Sequence, residues 1–474
     1  MSTNLKEILQ PGAHVVVVGL GKSGVSAVRF LLNLGVKISV SEGGRQENLE
    51  GDLVRWLKEK RVFVETGGHT SELLHSADCI LVSPGVPLGI EPLATARQKG
   101  IPVVGELALA KDFLKAPVVA VTGTNGKSTV TTLIGDLLRG SNKKVFVGGN
   151  IGIPLAEYLA GEQDCEVVVL EVSSFQLDSA GEFRPRVGVV LNITPDHLDR
   201  YASYEEYVES KMSIFKNQQP EDIAVLNGDD PAIAKWLTDA AARKNNRPLA
   251  SVMREYSSGG KGGTAAYVSG TRVCVAAEDM PGSVIEEYEL SGTPLAQSPN
   301  SENAMAAILA VRAMGCSPEA IRKSLSGFSP LPHRLALVAE INGVSYYDDS
   351  KATNVGAVYS ALGGMQQPVV LIAGGRDKGG GYEMLLPLVK EKVRGMVLIG
   401  EAREAIAKTF SNATRIAFAE EMEEAVQLAG KMAEKGDAVL LSPACASFDM
   451  FRSYSHRGEV FTQAVSRLER QERR

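Results

Sequence analysis

The sequence has 474 residues, of which 44% are hydrophobic and 22% are charged, and its formal net charge is −6. A chain of this length forms about two to four domains, each with a core of its own. The ordinary apolar content argues against a disordered chain, and the negative charge argues against a dedicated nucleic-acid binder.

No apolar run reaches the ~18 residues of a membrane-spanning helix, so we expect no membrane partner. The first residues, MSTNLKEILQ, lack the apolar core of a signal peptide. None of the five cysteines belongs to a C-x-x-C pair, which favours reduced thiols. Together these features predict a cytoplasmic protein.

Apolar strands and amphipathic helices alternate through the N-terminal part of the chain. The predicted strands are HVVVVGL, KISVSE, RVFVET and CILVSPG, and the predicted helices are SGVSAVRFLLNLG and NLEGDLVRWLKEK. Such alternation is typical of βαβ units with a parallel sheet. A second series of strands follows at APVVAVTGT, KKVFVGGN, EVVVLEVSS, RVGVVLNIT and DIAVLNGDD.

The pattern changes over residues 250–297, where Gly-rich segments such as GGTAAYVSGTRVCVAA predict hairpins, and a helix follows at SENAMAAILAVRAMG. A third alternating series then runs through VSYYDDS, PVVLIAGG, GMVLIGEA, TRIAFAE and DAVLLSPACAS. We therefore predict three consecutive α/β domains at residues 1–108, 109–330 and 331–474, of which the first and last are Rossmann-like.

A first glycine-rich loop, GLGKSG, follows the first predicted strand. It places Gly19, Gly21 and Gly24 in the G-x-G-x-x-G spacing, and Glu42 lies about twenty residues further on. Such glycines let the backbone approach a diphosphate at a helix N-terminus. The motif leaves three interpretations open: an NAD site, a site for another diphosphate such as a nucleotide sugar, or a tight turn without a ligand.

A second glycine-rich loop, GTNGKST, lies between a buried strand and a helix. Gly126, Lys127 and Ser128 fit the end of the P-loop pattern, but its first glycine is displaced to Gly123. Backbone N–H groups at a helix N-terminus attract phosphate, the lysine adds a positive charge, and the serine hydroxyl can bind Mg²⁺. We therefore predict a P-loop-type ATP-binding domain at the centre of the chain.

Other side chains are candidates for the same site. Glu171 ends a predicted strand and His197 follows the end of another, so each is either a metal ligand or an ordinary surface residue. Lys211 falls on the apolar stripe of the helix predicted in SYEEYVESKMSIF. The pattern alone favours a lysine that snorkels from the edge of the stripe. The alternative is a lysine buried near the phosphates, where burial makes it reactive.

Polar residues cluster after three predicted strands of the last domain, in YYDDSKATN, AGGRDKGGGY and LSPACASFDMF. The carboxyl ends of parallel strands meet at one edge of a sheet. We therefore predict a site for a small, charged ligand at that edge, because solvated loops explain one such cluster more easily than three.

These motifs resemble those of the Mur ligase family and its folylpolyglutamate synthetase relatives, whose ATP loop lacks the first P-loop glycine. The matching segments span nearly the whole chain in the expected order: GLGKSG, SPGV, GGNIG, LEVSSFQL, NITPDHLDRY, HRL, DDSKATN, AGG and LSPACASFD. The last three long motifs resemble the branch that adds D-glutamate to UDP-N-acetylmuramoyl-L-alanine in peptidoglycan synthesis. The D-N-P-R motif of the branch that adds diaminopimelate or lysine is absent.

The resemblance implies a site for ATP and two Mg²⁺ ions. The residues implied for ATP are Gly123, Thr124, Asn125, Gly126, Lys127, Ser128, Thr129, Asn303, Arg334 and Asp349. The metal ligands implied are Ser128, Glu171, His197 and Lys211, with Lys211 carbamylated by CO₂. The catalytic residues implied are Lys127, Glu171, His197 and Lys211. A carbamate would make the lysine on the apolar stripe an anionic metal ligand.

The resemblance also implies sites for the other two substrates, and we expect a monomeric protein. The residues implied for UDP-N-acetylmuramoyl-L-alanine are Gly21, Lys22, Ser23, Ser41, Glu42, Ser83, Pro84, Gly85, Asn150 and His197. The residues implied for D-glutamate are Lys351, Thr353, Lys378, Ser447 and Tyr454. The first glycine-rich loop would then bind a uridine diphosphate and not NAD.

Other functions explain fewer of these features. Another Mur-type amino-acid ligase would share most of them, and a folate-type polyglutamate ligase would share the ATP loop but not the N-terminal domain. An NAD-dependent oxidoreductase leaves the second loop, Lys211 and the third domain unexplained. A nucleotide-binding scaffold without catalysis has no need of Glu171, His197 and Lys211.

Overall fold

The computed structural model describes residues 4–198, 200–243, 249–260, 263–276, 284–329, 331–377, 379 and 381–472. Within these residues the strands form three sheets that follow one another along the chain. The chain divides into two compact units, the first comprising residues 1–193, 205–289 and 304–325, and the second residues 194–204, 290–303 and 326–474. The first unit contains the first two sheets, and the second contains the third.

The first sheet consists of β1 (His14–Val18), β2 (Lys37–Glu42), β3 (Phe63–Thr66), β4 (Cys79–Val82) and β5 (Val103–Val104). Its helices are α1 (Leu5–Ile8), α2 (Lys22–Leu34), α3 (Gly51–Glu59), α4 (Ser71–His75) and α5 (Glu91–Gln98), with a 3₁₀ turn at Gln46–Asn48. The strands are parallel in the order β3-β2-β1-β4-β5. The valines of the central strand β1 are all buried, as expected in a parallel sheet.

The second sheet consists of β6 (Val118–Thr122), β7 (Val145–Gly149), β8 (Val167–Glu171), β9 (Val187–Val190), β10 (Ile223–Asn227), β11 (Val252–Ser257), β12 (Ala266–Ser269), β13 (Arg272–Ala276) and β14 (Ile285–Glu289). The accompanying helices are α6 (Leu109–Phe113), α7 (Lys127–Gly140), α8 (Leu155–Ala160), α9 (Ser174–Leu177), α10 (Tyr204–Met212), α11 (Pro231–Arg243), α12 (Asn300–Ala313) and α13 (Pro318–Leu325). Two 3₁₀ turns lie at Glu106–Ala108 and Ser213–Phe215.

The strand order of the second sheet is β14-β13-β12-β11-β10-β9-β6-β8-β7. The part from β7 to β12 is parallel, whereas β12, β13 and β14 pair antiparallel. The hairpins predicted from the Gly-rich segment are therefore confirmed. Antiparallel strands need only short turns, and glycines are frequent in such turns.

The third sheet consists of β15 (Ala336–Ile341), β16 (Val344–Asp348), β17 (Val369–Gly374), β18 (Val393–Ile399), β19 (Arg415–Phe418) and β20 (Ala438–Leu441). Its helices are α14 (Val355–Gly364), α15 (Leu386–Lys392), α16 (Arg403–Phe410), α17 (Met422–Met432) and α18 (Tyr454–Glu472), with a 3₁₀ turn at Tyr382–Leu385. The order is β15-β16-β20-β17-β18-β19, and only the β15–β16 pair is antiparallel.

The polar clusters predicted to share one edge follow β16, β17 and β20, which are neighbouring parallel strands. That prediction is confirmed, as is the fold class of three consecutive α/β regions. Apolar residues cover both faces of the third sheet, so its core is divided into two clusters, one on each face. Among the described residues, no helix combines the length and the apolar character needed to cross a bilayer.

Candidate active site

The first glycine-rich loop turns sharply between β1 and α2. Gly19 has a φ of +89°, in the left-handed region that favours glycine. A Cβ on Gly24 would lie 1.9 Å from the carbonyl oxygen of Gly19, so helix α2 can approach the loop this closely only without a side chain at that position. The Ser83 hydroxyl donates to the same carbonyl at 2.9 Å and joins the loop to the end of β4.

Two residues predicted to contact the UDP substrate help to shape this loop. The Glu42 carboxylate accepts the N–H groups of Leu20 at 2.6 Å and Gly44 at 2.8 Å. Ser41 is fully buried and donates to Glu65 at 2.7 Å. Five further residues predicted for this substrate lie at partly or fully exposed positions, in the first turn of α2 and its N-cap or in the loop after β4: Gly21, Lys22, Ser23, Pro84 and Gly85. Their contact with a substrate stays a prediction.

The second glycine-rich loop is fixed between β6 and α7. Gly123 and Gly126 have φ values of +150° and +84°, which let the chain turn into the helix. Asn192, beyond the end of β9, accepts the N–H of Thr124 through its carbonyl at 2.8 Å. Its side chain accepts the N–H of Asn125 at 2.8 Å and donates to the carbonyl of Asn125 at 3.1 Å. The neighbouring strand therefore holds the loop in shape at the N-terminus of α7.

Two lysine side chains converge on this loop. Lys127 donates to the carbonyls of Gly123 and Thr124, both at 2.9 Å, and Lys211 donates to the carbonyl of Gly123 at 2.8 Å. Two ammonium groups that share one acceptor lie within about 6 Å of each other, where like charges repel by roughly 3 kcal/mol at an effective dielectric constant of ~20. This arrangement favours an anion beside the loop or a neutralised lysine.

Lys211 is only 2% exposed, so the prediction of a snorkelling lysine is wrong. Its helix α10 buries Tyr207 and Met212 on the same side. The Lys211 ammonium lies 4.6 Å from the centroid of the Tyr207 ring, a distance at which the cation is attracted to the ring face. The lysine is therefore held inside the protein at the phosphate loop, as the alternative interpretation requires.

Glu171 is a buried carboxylate beside the same loop. It ends β8, is 2% exposed, and pairs in register with Val121 of the strand that leads into the loop. Its Oε1 accepts from Asn150 Nδ2 at 2.7 Å, whereas Oε2 has no hydrogen-bond partner among the described residues. A buried carboxylate oxygen without a partner is costly, and Mg²⁺ prefers such hard oxygen ligands. The residues present therefore fit a bound Mg²⁺, with Ser128 buried in the first turn of α7.

His197 belongs to the second unit. Its φ of +56° is uncommon for a residue with a side chain. The N–H of His197 donates to Asp196 at 3.0 Å, and Asn354 donates to the other oxygen of Asp196 at 2.9 Å. These bonds tie the histidine segment to the start of α14. Among the described residues no group of three or more His, Cys, Asp or Glu side chains is arranged to hold a metal ion, and the role of His197 as a metal ligand stays a prediction.

Residues predicted for the nucleoside of ATP lie in the second unit. Asp349 accepts from the Ser442 hydroxyl at 2.8 Å and from the N–H of Leu335 at 3.3 Å. Burial raises the pKa of Asp349 to about 7, although the Ser442 hydroxyl and the charge of Arg334 favour its ionised form. Asn303 is buried near the start of α12. A buried carboxyl among these donors is suited to hydrogen-bonding a hydroxyl group of a ligand.

The residues predicted for D-glutamate lie along the edge formed by β16 and β20. The Lys351 ammonium is 3.8 Å from the centroid of the Tyr454 ring. Burial opposes ionisation of this tyrosine, but the charges of Lys351 and Arg334 and the side-chain hydrogen bonds with Lys351 and Ser455 together lower the pKa of Tyr454. Thr353 donates its N–H to the carbonyl of Lys351 at 2.9 Å, and Ser447 is buried after β20. Lys378 lies outside the described residues.

Sequence reasoning missed Arg457, which joins the segments that follow β16 and β20 by hydrogen bonds. Its side chain is 0% exposed and donates to the hydroxyl of Ser350 at 3.0 Å, to the carbonyl of Ser350 at 2.8 Å and to the carbonyl of Cys445 at 3.1 Å. Burial lowers the pKa of Arg457 to about 10. The signal in the sequence was an arginine one helical turn before Phe461, on the buried face of α18.

Three family models match the chain in succession. They are described as Mur ligase MurD-like, N-terminal domain, over residues 13–105, Mur ligase middle domain over 121–311, and Mur ligase, glutamate ligase domain, over 333–445. The UDP-N-acetylmuramoylalanine–D-glutamate ligase of Syntrophotalea carbinolica is 44% identical over 458 residues, which cover 97% of this chain and 98% of that relative. The chain belongs to the Mur ligase family.

Other similarities agree with that conclusion. A ligase of the same name from Desulfosudis oleivorans is 43% identical to this Mur ligase and covers 98% of each chain. The solved structure of UDP-N-acetylmuramate-alanine ligase from Thermotoga maritima matches with a TM-score of 0.56 and 17% identity, over 96% of this chain and 100% of that one. At that identity the match supports the fold alone, and it agrees with the three α/β regions described above.

Proposed function

We propose that this Mur ligase joins D-glutamate to UDP-N-acetylmuramoyl-L-alanine at the expense of ATP, in the synthesis of peptidoglycan precursors. The observation that carries the proposal is the phosphate loop, where Lys127 and the buried Lys211 meet at one carbonyl beside the buried Glu171. The relatives at 43–44% identity, which match along nearly their full length, support D-glutamate as the amino acid.

The three α/β regions would divide the substrates among them. The first, to about residue 108, would bind the UDP substrate at its glycine-rich loop, and the second, to about residue 330, would bind ATP. The third would bind D-glutamate at the edge that carries Lys351, Ser447 and Tyr454. An acidic amino acid fits an edge where a lysine and a tyrosine of lowered pKa lie together.

Ser128, Glu171, His197 and Lys211 would hold two Mg²⁺ ions, which supply positive charge to the transferring phosphoryl group. A carbamate on Lys211 would turn one of the two ammonium groups at the Gly123 carbonyl into an anion. Their mutual repulsion would then become an attraction between Lys127 and the carbamate. The unpartnered Oε2 of Glu171 would gain a cation as its partner.

The reaction would proceed in two steps. A carboxylate oxygen of the alanyl group attacks the γ-phosphorus of ATP, the bond to the β-phosphate oxygen breaks, and ADP leaves an acyl phosphate behind. The amine of D-glutamate then attacks the acyl carbon, loses a proton, and phosphate departs as the amide forms. In the first step Lys127 and the loop N–H groups would neutralise the phosphoryl oxygens, and the chain would act mainly by positioning and electrostatics.

We further propose that the protein works as a monomer in the cytoplasm, where its nucleotide substrates are made. Light scattering during size-exclusion chromatography tests the first point, since a monomer has the mass of 50.5 kDa that the sequence gives. A mass of twice that value would contradict it.

The decisive experiment measures phosphate release from ATP in the presence of Mg²⁺, bicarbonate and UDP-N-acetylmuramoyl-L-alanine. Parallel reactions contain D-glutamate, L-glutamate, meso-diaminopimelate or no amino acid. We expect release with D-glutamate alone. Release with another amino acid would assign the chain to a different Mur-type activity, and no release from folded protein would overturn the ligase proposal.

Glu171→Ala separates a ligase from a nucleotide-binding scaffold. A scaffold would keep its function without this carboxylate, whereas a ligase would lose nearly all turnover while still folding. The carbamate is tested by carbon NMR of protein equilibrated with ¹³C-bicarbonate. A carbamate signal should be present in the wild type and absent from Lys211→Met, and equal spectra of the two proteins would contradict the modification.

A further inference from the structure

Tyr382 is a buried tyrosine whose hydroxyl group the proposed reaction does not use. It begins the 3₁₀ turn at Tyr382–Leu385 and is 4% exposed. Its hydroxyl oxygen lies 2.9 Å from Oδ1 of Asp377, in the segment after β17, and 3.3 Å from Sγ of Cys445, in the segment after β20. Strands β17 and β20 are parallel neighbours, so one hydroxyl group contacts two of the segments that form the polar edge of the third sheet.

The hydrogen bonds of this hydroxyl group run in one direction. A carboxylate is a stronger acceptor than a thiol, so Tyr382 donates its proton to Asp377 and accepts the weaker bond from the thiol of Cys445. Burial raises the pKa of Tyr382 and raises that of Cys445 to about 11, so both groups keep their protons at neutral pH. Oδ1 of Asp377 also accepts the N–H of Gly379 at 3.1 Å. The thiol, the phenol and the carboxylate therefore form a hydrogen-bonded chain that ends at the backbone of Gly379.

The two segments that this chain connects also touch through their backbones. Arg376 and Ala446 exchange two backbone hydrogen bonds, at 2.9 and 3.1 Å. A Cβ on Gly375 would lie 2.3 Å from the carbonyl oxygen of Ala446, so the segments can approach this closely only without a side chain at residue 375. Ser447, which is predicted to bind D-glutamate, follows Ala446 directly and is buried. The separation of the two segments therefore bears on the position of a residue predicted for the substrate.

Packing alone accounts for the ring of Tyr382 but not for its hydroxyl group. The ring belongs to the apolar cluster on one face of the third sheet, where a phenylalanine would fill the same space. A buried hydroxyl group is costly without a partner, and the carboxylate that it meets belongs to Asp377, an exposed residue of the edge and not of the core. Asp377 and Gly379 flank Lys378, which is predicted to bind D-glutamate. The hydroxyl group therefore ties the backbone on either side of Lys378 to the core of the third sheet.

We propose that Tyr382 is a positioning residue for D-glutamate, which acts by holding Asp377 and residues 445–447 at a fixed separation. This inference rests on the proposed function, because it concerns the proposed D-glutamate site. A binding site works only when its side chains are held to within about 0.5 Å, and the hydroxyl group supplies that restraint between the two segments. Its loss should weaken the binding of the amino acid and leave the use of ATP unchanged.

The test compares Tyr382→Phe with the wild type and with Tyr346→Phe. Tyr382→Phe keeps the ring and removes only the hydroxyl group. We expect its KM for D-glutamate to rise about threefold to tenfold, the effect of losing one hydrogen bond to a charged acceptor. The kcat and the KM values for ATP and the UDP substrate should stay within about twofold.

Tyr346→Phe is the matched control. Tyr346 is 2% exposed, lies in β16 of the same unit, and packs against the opposite face of the third sheet. Its variant should leave all three KM values unchanged. A KM for D-glutamate that is as low in Tyr382→Phe as in Tyr346→Phe would overturn the proposal, and so would a parallel rise of all three KM values in Tyr382→Phe.

Asp377→Ala supplies an independent measurement. If the hydroxyl group acts through this carboxylate, Asp377→Ala raises the same KM. The double variant with Tyr382→Phe should then be impaired by clearly less than the product of the two single effects. Effects that multiply fully would show that the two side chains act separately and would overturn the proposal.

Amide hydrogen exchange without substrates separates this inference from the proposed function. Peptides that cover residues 375–379 and 445–447 should exchange at least about threefold faster in Tyr382→Phe than in Tyr346→Phe, whether or not D-glutamate is the acceptor. Equal exchange in the two variants would overturn the inference and leave the ligase proposal standing. No phosphate release by the wild type, together with faster exchange in Tyr382→Phe, would overturn the ligase proposal but support the restraint by the hydroxyl group.

Discussion

Gly149→Ala should damage the proposed metal site without altering any of its proposed ligands. Gly149 ends β7 with a φ of +98°, and a Cβ there would lie 2.4 Å from the carbonyl oxygen of Glu171. That oxygen accepts the N–H of Asn150 at 2.9 Å, and the side chain of Asn150 donates to Glu171 Oε1 at 2.7 Å. The methyl group would therefore push apart two segments that together orient the carboxylate.

The expected cost has two parts. The left-handed conformation costs an alanine roughly 1–2 kcal/mol. The overlap with a backbone atom of a buried strand adds roughly 1–3 kcal/mol, because the strand has little room to move. Gly152 provides a matched control in the same loop, since its φ is +63° and a Cβ there meets nothing within 4 Å. Gly152→Ala should lose only the stability that the left-handed conformation costs, roughly 1–2 kcal/mol.

The two variants are compared by thermal unfolding and by phosphate release at varied Mg²⁺ concentration. For a domain of this size, 1 kcal/mol corresponds to roughly 2–4 °C in melting temperature. Gly149→Ala should therefore melt well below Gly152→Ala, and it should need more Mg²⁺ for half-maximal activity. Equal melting temperatures and equal Mg²⁺ requirements would show that the contact of the added methyl group with the Glu171 carbonyl does not affect stability or metal binding.

Three further predictions follow from the buried charged groups. Lys211→Met should fold but lose at least about a hundredfold in kcat, because it removes the proposed carbamate that holds metal; a kcat near the wild-type value in a phosphate-release assay would contradict that role. Burial raises the folded-state pKa of Asp349 to about 7 from an ordinary value near 4, so the stability it contributes below about pH 4 is lost as the pH rises through 7. The melting temperature of Asp349→Asn minus that of the wild type should therefore grow between about pH 5 and about pH 8, and a constant difference would refute the raised pKa of Asp349. Arg457→Met would leave buried carbonyls of residues 350 and 445 without a donor, at about 1–3 kcal/mol each; it should lower the melting temperature and raise the KM for D-glutamate, and a variant unchanged in both would show that other donors replace the guanidinium.

The sequence by itself determined the fold class and the positions of the two glycine-rich loops. Alternating apolar strands and helices predicted the parallel sheets, because strands covered on both faces have to be apolar throughout. The two glycine-rich loops were recognisable because glycine adopts left-handed turns, such as those at Gly19 and Gly126, more readily than any other residue. Glu171 could be selected as a candidate metal ligand because parallel sheets present polar side chains at their strand ends.

Only the tertiary structure decided which charged side chains are buried and which groups they contact. Helical periodicity placed Lys211 on an apolar stripe, but it could not identify the partner of the ammonium group. That partner is the carbonyl of Gly123, 88 residues earlier in the sequence. Arg457 likewise meets Ser350 across 107 residues, and Glu106 meets Leu155 across 49. A periodic pattern reports which face of an element is covered, whereas the cost of burying a charge depends on the donors and acceptors that other segments bring to it. Those contacts exist only once the chain has folded.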